Sequence, residues 1–174
     1  MTQPIVTLSR ALDQAGDVLA SVHADDLDRP TPCGEWSVRD LANHLAAGPA
    51  RFLQMLRGEE VDWSATPRIP DGTWATTFRS GADDLIHHWH GQPDDQTAGA
   101  GWQTAEIAVH TWDLARAIKR VDDLDDDVAE AGLAFLQENL TDENRGTVFA
   151  PAVPVAEDAP AYDRLAAFAG RDPS

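Results

Sequence analysis

The sequence predicts an all-α protein, a four-helix bundle with short helical additions at its C-terminal end. Three observations carry that expectation. Apolar residues recur at helical spacing over long stretches. The connections between those stretches are rich in proline, glycine and aspartate. No segment shows the convincing alternation of a half-buried strand.

The first helix is expected over residues 5–22, where Ile5, Leu8, Leu12, Val18, Leu19 and Val22 share one face. Turn formers from Asp25 to Trp36, with Pro30 and Pro32 among them, separate it from the second. Ser37 opens that helix. Ser37-Val-Arg-Asp40 is a capping box, in which hydroxyl and carboxylate satisfy unpaired N–H groups of the first turn. The helix runs through Leu41, His44, Leu45, Phe52 and Met55 to about Arg57, and Gly58 ends it. A loop with Pro67 and Pro70 covers residues 59–71. The third helix is expected from Thr73 to His90, stopped by Gly91 and Pro93. The fourth spans Trp102 to Arg120, with Arg116, Lys119 and Arg120 suiting the negative end of its dipole. A fifth covers Asp126 to Leu140. Prolines make Thr147 to Pro160 an extended tail, and a last short helix runs from Ala161 to Ala169. The expected organisation is a helical bundle over residues 1–146, with a proline-rich tail and short helix, residues 147–174, packed on it.

A chain of 174 residues, 43% of them apolar, suffices for one domain with a real core. Its 13 basic residues against 30 acidic ones give a net charge of −17, a surface that repels phosphate backbones and anionic lipid. Nucleic-acid and membrane partners are therefore not expected, and no apolar run approaches membrane-spanning length. The N-terminus lacks the basic and apolar regions of a secretion signal, and the single cysteine, Cys33, can form no internal disulfide. A cytoplasmic setting is expected. The aspartate run from Asp122 to Asp127 lacks the alternating ligands and central glycine of a calcium loop, and reads as acidic surface near a helix end.

Two places set ionisable groups into apolar stripes. In Glu106-Ile-Ala-Val-His110 the four-residue spacing puts carboxylate and imidazole one turn apart on one helix face, able to grip one ion. His110 falls between Ile107 and Leu114 on the stripe that continues to Ile118, so an ordinary surface pair is disfavoured. Unpaired burial is costly, and either a metal or a hydrogen-bonded core pair would relieve it. His44 repeats the anomaly among Leu41, Leu45 and Gly48; spacing alone leaves it a satisfied core residue or a ligand.

The segment Thr31-Pro-Cys-Gly-Glu-Trp-Ser-Val-Arg-Asp-Leu-Ala-Asn-His44 resembles the start of helix two in the DinB-like superfamily. It is closest to the actinobacterial branch related to the metal-binding domain of mycothiol-dependent maleylpyruvate isomerase. Glu106-Ile-Ala-Val-His110-Thr-Trp-Asp-Leu-Ala115 is similar to that branch's second metal motif. Phe149-Ala-Pro-Ala-Val-Pro-Val155 and Asp163-Arg-Leu-Ala-Ala-Phe-Ala-Gly-Arg171 resemble its usual ending. The resemblance implies a DinB-like bundle whose metal ligands are His44, Glu106 and His110. It implies a divalent ion, zinc foremost and nickel as the alternative, with room left for one more donor. It further implies a mycothiol-like cosubstrate: the thiol would be held as a thiolate and attack a small electrophile, giving S-transfer or isomerisation. The isomerase carries a substantial C-terminal domain, where this sequence has a short proline-rich tail and one helix. The expected partners are thus a low-molecular-weight thiol and a small electrophile, with a homodimer admitted. A structural metal clamp without catalysis and a metal-dependent hydrolase are the competing readings.

Other residues have plainer readings beside functional ones. Cys33 is read as a small apolar residue packing under its loop, with a fourth ligand or redox partner as the alternative. His87, His88 and His90 suit the end of the third helix, with an accessory metal or proton-transfer site as the alternative. Asp113 either orients a ligand or bonds elsewhere, for instance to Arg116. Trp36, Trp89, Trp102 and Trp112 are expected in the core, with one of them a candidate pocket wall. Arg79 could meet an anionic substrate.

Overall fold

The computed structural model describes residues 3–65, 67–146 and 149–174. Among them the chain forms α1 (Gln3–Ala20), α2 (Val38–Leu56), α3 (Trp74–His90), α4 (Gly99–Ile118), α5 (Asp126–Asn139) and α6 (Ala161–Phe168). Single turns of 3₁₀ helix at Ala24–Asp26, Asp94–Gln96 and Val121–Asp123 punctuate the connections. The described residues contain no β-strand beyond one isolated bridge between Pro30 and Ser37. The protein is all-α, as the sequence predicts, and no described helix is long and apolar enough to cross a membrane.

Local chemistry explains where the helices start and stop. Ser37 caps α2 as a capping box: its hydroxyl accepts from the Asp40 N–H, and Asp40 Oδ2 accepts from the Ser37 N–H at 3.0 Å. Helix α4 begins at Gly99 rather than Trp102, because its N-cap, Ala98, offers no side-chain bond that a sequence could reveal. It also ends earlier than expected. Lys119 adopts the left-handed conformation (φ 62°), and the Arg120 N–H closes back on the Ala115 carbonyl at 2.8 Å. That leaves Arg116 as the basic residue of the last turn. The aspartates that follow serve α5 and α1: Asp125 accepts from the Asp127 N–H at 3.1 Å, and Arg10 of α1 pairs with both carboxylates at 2.6 and 3.0 Å.

Helix α4 lies at the centre, meeting α1, α2, α5 and α6, and this explains why it is buried on most of its sides. Two of its buried polar side chains find internal partners: Gln103 accepts from Trp89 Nε1 at 2.9 Å, and Thr104 donates to the Ala100 carbonyl at 2.9 Å. The α2–α3 contact is set by Gly81, where a Cβ would come within 3.3 Å of Pro49 and of the Ala50 nitrogen. Pro49 sits inside α2 and leaves one helical carbonyl without its N–H partner.

Helix α6 packs on α5, and Gly170 then turns the chain back toward the bundle. Its φ is +84°, and a Cβ there would collide with the Ala150 carbonyl, so only glycine makes this turn. Arg145 fixes the returning tail by donating to the carbonyls of Ala150 (3.2 Å) and Phe168 (2.8 Å). Thr147 and Val148, where the extended tail is expected to begin, lie outside the described residues.

Candidate metal centre

The capping box starts α2 so that His44 faces α4, where Glu106 and His110 lie one turn apart. All three meet. Glu106 Oε1 is 3.1 Å from His110 Nε2 and 3.7 Å from His44 Nε2, and the three donor atoms lie within 4.8 Å of one another. Zinc bonds of about 2.0–2.2 Å at a tetrahedral angle would set donor atoms roughly 3.3–3.6 Å apart, so the arrangement spans the distance one ion requires.

Electrostatics point the same way. Burial alone would raise the Glu106 carboxyl, but His110 and His44 hold it below the usual carboxylate range. Burial alone would lower His110, yet the Glu106 charge and the neighbouring Asp113 and Cys33 hold it well above its ordinary value. His44 is lowered, mainly by burial, despite its contact with Glu106. A buried carboxylate with one imidazole on each side demands a positive charge between them, which a proton or a metal ion supplies. The residues present fit a divalent ion.

Outside this trio the site has a supporting layer. His110 Nδ1 is 3.3 Å from Asp113 Oδ2, within ion-pair range though off hydrogen-bond geometry. Asp113, fully buried, is gripped by Arg171 through Nε at 3.2 Å and Nη2 at 3.1 Å. Arg116 takes no part: it donates to the carbonyls of Pro173 and Ser174. Asp113 thus combines both alternatives: its hydrogen bonds go elsewhere, to Arg171, while one of its oxygens faces His110. Trp36 packs its ring 4.7 Å from that of His44 and 6.1 Å from that of His110, and forms a wall.

Cys33 is half-buried and not simply packed away. Its Sγ lies 3.7 Å from Arg171 Nη2 and joins His110 and Asp113 in a second group of nearby donor atoms. That group is the poorer cation site, because the Arg171 guanidinium already neutralises Asp113. His87, His88 and His90 join no group of potential ligands among the described residues, and His88 instead packs on Trp89. Arg79 pairs with Asp17 at 2.6 Å, which ties α3 to α1 at the surface. Trp89 and Trp112 are core residues.

The centre opens into a cavity of about 10 Å³, lined by its three residues and by Leu45, Gly48, Phe52, Trp63 and Ile107. That is the lower limit for one water molecule. Trp63 closes it from the loop between α2 and α3, with ring centroids 5.9 Å from Phe52 and 6.1 Å from Trp102. Trp63 gives no signal in the sequence, since only the tertiary path of that loop brings it to the metal ligands; the nearby Arg51 is marked only as a charge set into the buried face of α2.

Comparison with known proteins shows the family of the chain. No solved structure matches the chain significantly. Two proteins from two strains of Mycobacterium tuberculosis, both called uncharacterized, are 32% identical to it over 97% of this chain and 97% of theirs. Residues 8–98, from α1 through α3 and including His44, match the mycothiol maleylpyruvate isomerase N-terminal domain. With the all-helical bundle in place and His44 presented from the matched segment, the chain belongs to the mycothiol maleylpyruvate isomerase N-terminal domain family.

Proposed function

We propose that this protein is a metal-dependent enzyme that uses a low-molecular-weight thiol of the mycothiol type for S-transfer or isomerisation of a small electrophile. The observation that carries the reading is the convergence of His44, Glu106 and His110 on a cation-sized gap. Zinc is the first candidate and nickel the second. A divalent ion held by His44, Glu106 and His110 would supply Lewis acidity, which lowers the pKa of a thiol. His44 and His110 would each offer a ring nitrogen, His110 giving up the proton that Glu106 stabilises in the metal-free site, and Glu106 would reduce the net charge. Asp113 orients the His110 ring from behind, and Arg171 holds Asp113 in place. Trp36, Phe52 and Trp63 keep the surroundings apolar, which strengthens a thiolate as nucleophile by stripping it of water.

The cavity wall also bears on the competing hydrolase reading. Apart from the three proposed ligands, every residue lining it is apolar, so no general base stands ready to activate water. A cytoplasmic setting, where small thiols stay reduced, belongs to the same proposal.

Elemental analysis of the purified protein should find one divalent ion per chain, lost in His44→Ala and in His110→Ala. Full metal content in both variants would overturn the site. Addition of mycothiol to cobalt-substituted protein should bring up a sulfur-to-cobalt absorption band, and an unchanged spectrum would end the thiol half of the proposal.

A further inference from the structure

Arg51 is buried with only part of its guanidinium in use. It lies on α2 one turn beyond Gly48, on the side of the helix that carries His44, and is only 9% exposed. Its Nη2 donates to the Ala65 carbonyl at 2.7 Å, while its Nη1 is buried with no hydrogen-bond partner among the described residues. In a chain with 30 acidic residues against 13 basic ones, a buried guanidinium without a carboxylate is conspicuous. Asp62 is close enough to feel its charge, but Asp62 Oδ1 is turned to its own loop and accepts from Ser64 and Ala65.

The place of this cation is equally specific. Its guanidinium carbon is 5.8 Å from the centre of the Trp63 ring, and that ring forms a wall of the cavity at the metal centre. The Arg51 charge is also felt at His44. Seven residues of helix place the two Cα atoms about 10 Å apart, and long side chains on a helix lean toward its N-terminus, here toward His44. The cavity of about 10 Å³ admits nothing larger than water, so any larger ligand must lift Trp63, and with it the segment that Arg51 holds.

We propose that Arg51 is the carboxylate-binding residue of this site: its unpartnered Nη1 takes a carboxylate at one end of a ligand whose other end occupies the metal centre, beneath a cover formed by the Trp63 segment. The ligand class is therefore a chain-like carboxylate, several atoms long, with a metal-binding head. One guanidinium edge, its other nitrogen committed to Ala65, suits a planar carboxylate better than a phosphate dianion, which needs more donors. The inference rests on the proposed metal site for its anchor.

The test uses the full chain loaded with cobalt and reads binding from the visible spectrum. Mercaptocarboxylates of three to six carbons are compared with the matching mercaptoalcohols, and adipate with hexanoate, in the wild type, Arg51→Gln and Arg51→Lys. Glutamine can still donate to the Ala65 carbonyl, so the cover stays tied while the charge is lost. In the wild type, the acid should bind about tenfold or more tightly than its neutral or singly charged counterpart at one length at least. Arg51→Gln should abolish that preference, and Arg51→Lys should keep part of it. Equal binding of acid and alcohol together with no preference for adipate, or a preference that survives in Arg51→Gln, would overturn the assignment. If no thiol perturbs the cobalt spectrum but adipate still binds in an Arg51-dependent way, the thiol reading falls and the carboxylate site stands.

Discussion

Asp113 and Arg171 lie 58 positions apart in sequence, yet they join the tail to the metal centre through one buried ion pair. Removing one partner of such a pair leaves the other charge stranded, which typically costs about 3–5 kcal/mol. Asp113→Asn should therefore lower unfolding free energy by several kcal/mol in denaturant titration. It should also weaken metal binding by about 10–100-fold, because His110 loses the carboxylate that orients it. Unchanged metal affinity in a folded Asp113→Asn protein would remove Asp113 from the site. At this scale the sequence was informative where a residue contradicted its surroundings: His44, Glu106 and His110 stand out because each interrupts an apolar stripe. Arg51 interrupts α2 in the same way and could have been found by the same signal. Trp63 and Arg171 could not, since nothing local marks a loop residue or a tail residue for a place beside a helix far away in sequence.

Helix α2 is the element on which the centre depends most, because it carries His44, Phe52 and Arg51 and is fixed at its start by Ser37. Ser37→Ala should cost about 1 kcal/mol of stability, the usual worth of a side-chain cap. Phe52→Ala, which empties a fully buried position against Trp63 and Trp102, should cost about 3–5 kcal/mol. Chemical denaturation distinguishes the two, and equal small losses would mean that the aromatic cluster does not hold the site's wall. Helix ends show what sequence reveals and what it hides. The start of α2 is legible because its cap is a side chain. The start of α4 is not, because Ala98 caps nothing, and its end is hidden because Lys119 takes the left-handed conformation usually left to glycine.

Taken whole, the molecule has a core that does not need a metal. Residues from all six helices, Leu8, Leu41, Phe78, Leu114, Leu133 and Leu165 among them, pack into one continuous apolar cluster, and the proposed ligands bridge only α2 and α4. Chelation should accordingly leave the far-ultraviolet circular dichroism of the helices intact and lower the melting temperature only by the binding linkage. Collapse of the helical signal on chelation would favour a structural clamp instead. The all-α class and the order of the helices were legible because periodicity is local. How the tail reaches Asp113 and how the Trp63 loop covers the site were not, because those contacts exist only once the helices have packed. The central claim, two imidazoles and one carboxylate around a single ion, is tested most directly by X-ray absorption at the metal edge of the zinc-loaded protein. Ligation by His44, Glu106 and His110 predicts a first shell of nitrogen and oxygen at about 2.0–2.2 Å with the outer-shell pattern of two histidines. A sulfur shell near 2.3 Å in thiol-free buffer would place the ion on Cys33 and contradict it.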